Sequence, residues 1–71
     1  MGLTRYQKAV RILERYMEEN KTKIIYTMNL RSLMIQEMGS DEQRVIVPTL
    51  KMLREQGVIT EVAVNKWEIK I

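Results

Sequence analysis

The chain has 71 residues, 45% of them hydrophobic and 30% charged, with a net charge of +3 and neither cysteine nor histidine. This is the composition of a folded soluble domain, and the length fits one domain, residues 1–71, near the lower limit for a core without staples. Without cysteine there are no disulfides or thiolate metal sites, and without histidine the commonest general base is missing. No apolar run approaches ~18 residues, so no membrane span is expected. The N-terminus lacks the charged-then-apolar layout of a signal peptide, which makes the cytoplasm the expected location. The small basic excess tilts the choice of partner towards something anionic.

Thr4, followed three residues later by Gln7, forms the pattern of a capping box and predicts a first helix starting there. Tyr6, Val10, Leu13 and Met17 recur at helical spacing, flanked by Ala9, Ile12 and Tyr16. Lys8, Arg11, Arg15, Glu18 and Glu19 fall on the other face, where Arg11 with Glu14 and Arg15 with Glu19 stand at pairing distances. Asn20, which tolerates the left-handed conformation, is expected to close this helix. Thr22, Ile24, Ile25, Tyr26 and Thr27 then predict a short strand. Asn29 caps a second predicted helix, from Leu30 to about Met38, ended by Gly39. Leu30, Leu33 and Met34 form its buried side, and Arg31 and Ser32 point outwards.

Ser40 with Gln43 makes another capping box, and Asp41 and Glu42 are favourable near the positive end of a helix. The third helix is expected to reach Gln56, with Gly57 just beyond it. The period then changes. "VITEVAV" and "WEIKI" each alternate, with Asn65-Lys66 between them as the expected turn of a β-hairpin.

The resulting order is helix, strand, helix, helix, strand, strand. At its centre Leu50, Leu53, Gly57, Val58 and Ile59 carry a helix into the hairpin through a glycine. That order and that junction resemble the winged helix-turn-helix family of DNA-binding domains, across nearly the whole chain. The resemblance implies an α+β fold: a small winged helix-turn-helix with three helices, a short strand and a C-terminal β-hairpin wing (α-β-α-α-β-β). Two features depart from the family pattern. The stretch from Gly39 to Leu50 is a couple of residues long, and Pro48 falls inside the expected recognition helix, where it must kink the helix or detach its first turn.

Stepping 100° per residue from Ile46 clusters Ile46, Leu50 and Leu53, with Val45, Thr49 and Met52 on the flank. Arg44 and Lys51 lie opposite, with Glu55 and Pro48 beside them. Val47 and Arg54 border that face, and Gln43 is further round. Arginine and lysine can reach guanine edges or phosphates, and valine can touch a thymine methyl. Ordinary solvated cations and a packed valine would produce the same pattern. Thr27, Asn29 and Arg31 near the start of the second helix, and Asn65 and Lys66 at the wing, are the expected backbone contacts. Thr27 and Asn29 serve equally as caps, and Trp67 is expected to lie flat on the core with its indole edge wet.

Glu18-Glu19 and Asp41-Glu42 are the neighbouring carboxylates, with no base or nucleophile beside them, and the three glycines are isolated. Catalysis is therefore not expected, nor is a cofactor. The expected function is binding of double-stranded DNA as a transcriptional regulator, with the third helix in the major groove and the wing on the backbone. The alternative is a winged-helix module for protein–protein interaction within a larger assembly, since one fold hosts both uses. A homodimer contact is open through an edge of the first helix carrying Tyr6, Ile12 and Tyr16.

Overall fold

The computed structural model describes residues 2–71. Its elements are α1 (Arg5–Asn20), β1 (Ile24–Tyr26), α2 (Thr27–Met38), a π-helical turn (Glu42–Ile46), α3 (Val47–Glu55), β2 (Ile59–Ala63) and β3 (Lys66–Ile69). This is the α-β-α-α-β-β order expected from the sequence. The strands form one antiparallel sheet in the order β1-β3-β2, so the last strand lies between the other two.

The start of α1 is the capping box expected. The Gln7 amide donates to Thr4 Oγ1 (3.1 Å) and the Thr4 amide donates to Gln7 Oε1 (3.0 Å). Its end lies one residue later than expected, since the left-handed residue is Lys21 (φ 55°). Asn20 is still helical and donates its side-chain amide to the Tyr16 carbonyl (2.9 Å). Of the apolar positions, Ala9, Ile12 and Leu13 are buried, while Tyr6, Val10, Tyr16 and Met17 pack around them.

The start of α2 differs from the sequence reading. The helix begins at Thr27, directly on leaving β1, and Asn29 lies inside it rather than capping it. The cause is the sheet. The Thr27 amide donates to the Asn65 carbonyl (2.9 Å), continuing the β1–β3 pairing into the helix. Wing backbone thus satisfies an amide that would otherwise need a side-chain cap. Gly39 ends α2 as expected, with φ 110° and its amide bonded to the Ile35 carbonyl (3.1 Å).

The long stretch before α3 becomes the π-helical turn. Asp41, not Ser40, is its cap: Oδ1 accepts from the Arg44 amide (3.0 Å), and the Asp41 carbonyl accepts from Val45 (2.9 Å) and Ile46 (3.2 Å). The Val47 amide bonds to the Glu42 carbonyl, five residues back. Pro48 then enters in the first turn of α3, where a missing amide costs little. The wider turn also shifts the phase of α3. Ile46, Thr49 and Leu53 are the fully buried residues, whereas Leu50, expected to cluster with Ile46 and Leu53, is half-buried.

At the junction, the Gly57 amide donates to the Arg54 carbonyl (3.1 Å) and the Val58 amide to the Leu53 carbonyl (2.9 Å). These are the two bonds of a Schellman helix end, and Gly57 holds the positive φ, 75°, that it requires. Val58 and Leu53 bury together with Ile25, Leu30, Met34, Ile59 and Ile69 in one core between the helices and the sheet.

The hairpin turn is Val64-Asn65, one residue earlier than expected, with Asn65 at φ 58° and Lys66 already in β3. Register explains the shift. Ile59, Thr60 and Glu61 pair in step with Ile69, Glu68 and Trp67, but Ala63 then pairs with Lys66, leaving Val62 as a bulge.

Candidate nucleic-acid interface

Val47, Lys51 and Arg54 stand at i, i+4 and i+7 on α3, one stripe of the helix. Val47 is 43% exposed, and Lys51 and Arg54 are exposed as well. Neither Lys51 nor Arg54 meets a carboxylate at ion-pair distance among the described residues. Beside the stripe, a half-open cavity of about 300 Å³ runs from α3 across to the sheet. Leu30, Leu50, Ile59 and Trp67 form its apolar wall, and Thr27, Val47, Lys51 and Arg54 surround it.

Thr27 joins the cavity to the wing. Its hydroxyl accepts from Trp67 Nε1 (2.9 Å) while its amide donates to Asn65. The indole edge is therefore bonded rather than wet. The fold thus gathers five of the ten expected contact residues on one side: Thr27, Val47, Lys51 and Arg54 around the cavity, and Asn65 through its bond to Thr27.

The other five are placed differently. Gln43 and Arg44 are exposed in the π-helical turn, ahead of the α3 stripe. A π turn advances each residue through less than the 100° of an α-helix, so Arg44 is out of phase with Lys51. Asn29 is exposed in the first turn of α2. Arg31 forms an ion pair with Glu42, which ties α2 to the π-helical turn. Lys66 occupies a strand position opposite Tyr26 and Ala63. Because strand side chains alternate, it shares a face with Glu68, and Trp67 takes the other face, towards α3.

Two exposed apolar residues at this end escaped the sequence reading: Val64 (88% exposed) in the wing turn and Met28 (81%) at the start of α2. Val64 belongs to an alternating run that ends at Asn65, so displacing the turn by one residue moves it from strand to tip. The α1 residues named for a homodimer contact are only partly at the surface. Ile12 is buried, Tyr6 and Tyr16 pack on the core, and the Tyr16 hydroxyl donates to the Ile24 carbonyl (3.0 Å).

No helix among the described residues is long and apolar enough to cross a membrane. Compared with protein families, curated proteins and solved structures, the chain matches none.

Proposed function

We propose that this chain is a winged-helix domain that binds double-stranded DNA and regulates transcription. The observation that carries the reading is the α3 stripe of Val47, Lys51 and Arg54, exposed and free of carboxylates among the described residues. The nine residues of α3 are about 13 Å long, close to the ~12 Å width of a major groove. One stripe of such a helix can meet base edges while the ends of the molecule meet phosphates. Asn65, at the wing turn and bonded through its carbonyl to the Thr27 amide, would supply a backbone contact beside the stripe.

A second reading, a module for protein–protein interaction, is favoured by the apolar cavity and by the exposed Val64 and Met28. Selection from a random duplex library at low salt separates the two. Enrichment of a motif, with affinity that falls steeply as salt rises, supports DNA binding. No retention of any duplex at low salt leaves the interaction module.

A further inference from the structure

The cavity beside α3 has a chemistry that the DNA reading does not use. Its wall is apolar, from Leu30, Leu50, Ile59 and Trp67, yet the charged groups at its edge are both cations. Lys51 and Arg54 only donate hydrogen bonds, and the Thr27 oxygen, already accepting from Trp67, has its own O–H proton to offer. Glu61, opposite Trp67 on β2, is not among the residues that line it. An apolar hollow edged by donors without an anionic acceptor complements a ligand that is apolar at one end and anionic at the other. The volume of about 300 Å³ falls at the lower end of small-molecule sites. Its walls come from α2, α3, β2 and β3, and one side of it is open to solvent, so a small ligand can enter.

We propose that this cavity binds a small organic carboxylate. Its apolar body lies between Leu30, Leu50, Ile59 and Trp67, and its carboxylate is held by Lys51, Arg54 and the Thr27 hydroxyl. The site lies on the face assigned above to DNA, but ligand binding does not depend on that assignment. If both hold, occupancy sequesters Lys51 and Arg54, and the ligand and the duplex exclude each other.

Trp67 is the only tryptophan in the chain and lines the cavity, so its fluorescence reports occupancy directly. The probe is 4-phenylbutyrate, with 4-phenylbutanol as its uncharged counterpart and acetate as the charge without the apolar body. Saturable binding of phenylbutyrate is expected, with the alcohol weaker by about tenfold or more and acetate without effect. Methyl NMR signals of Leu30, Leu50 and Ile59 should move while that of Leu13, buried on the inner face of α1, stays in place. The exposed pair Lys51→Gln and Arg54→Gln should abolish the preference for acid over alcohol while leaving the melting temperature unchanged. No saturable change with phenylbutyrate, equal binding of the alcohol, or an acid preference that survives both substitutions would each overturn the site. Phenylbutyrate binding without any duplex binding would keep the site and remove the DNA reading. Duplex binding undisturbed by saturating phenylbutyrate would overturn the mutual exclusion.

Discussion

Gly57 and Thr49 bear on stability in opposite ways. Gly57 stands at φ 75°, and a Cβ added there would meet no atom within 4 Å. The cost of a side chain is therefore purely one of backbone conformation. Gly57→Val should destabilise by about 1 kcal/mol or more, and Gly57→Asn by less, because asparagine tolerates the left-handed region. Equal losses for the two in thermal melts would show that crowding, not φ, governs the position. Thr49 is the opposite case: fully buried on α3, its hydroxyl has no hydrogen-bond partner among the described residues. A buried unpaired hydroxyl costs stability that an apolar group of similar shape does not. Thr49→Val should stabilise the fold by about 1 kcal/mol, raising the melting temperature by roughly 4–8 °C in a domain of this size. A lowered melting temperature would mean that the hydroxyl is bonded in solution.

At the scale of elements, the π-helical turn determines which cations act together. Lys51 lies in the middle of the α3 stripe, between Val47 and Arg54, whereas Arg44 belongs to the turn before it. On the DNA reading, Lys51→Ala should relax discrimination at one base position by about 1–3 kcal/mol, whereas Arg44→Ala should weaken all duplexes alike. Competition binding on a set of single-base variants measures this. A uniform loss from Lys51→Ala would remove it from base readout. The same turn shows where sequence reading holds and where it stops. Thr4 with Gln7, the glycines 39 and 57 and the alternating C-terminal runs were legible because each acts through neighbours within a few residues. Pro48 announced an irregular start to α3 for the same reason. The start of α2 was not legible, because the Asn65 carbonyl that satisfies Thr27 lies 38 positions further along the chain. Nor was the hairpin turn, since a bulge at Val62 moves it by one residue without changing the alternation of the flanking strands. Of the candidate interface, spacing placed Lys51 outwards with Val47 and Arg54 at its border, but it also set Arg44 beside Lys51, which the π-helical turn does not allow. The cavity was not legible, because its walls come from four separate elements.

At the scale of the whole molecule, the sheet sets Lys66 on the face away from α3. Trp67 faces α3 and the cavity, and Lys66, its neighbour on β3, points to the opposite face with Glu68. On the DNA reading, a duplex lying on the α3 stripe would meet the Trp67 side of the wing and its tip, Val64 and Asn65. A lysine on the far face reaches no phosphate there. Removing one cation that neutralises a phosphate lowers the slope of log affinity against log salt by about 0.9. Arg44→Ala, exposed in the turn ahead of the stripe, should produce that drop. Lys66→Ala should leave the slope unchanged, and it should also leave folding intact, since Lys66 forms no ion pair among the described residues. Fluorescence anisotropy on a selected and a random duplex, at several salt concentrations, reads both slopes. A drop of about 0.9 for Lys66→Ala would place the duplex across both faces of the wing, which requires the hairpin tip to enter a groove rather than lie along one.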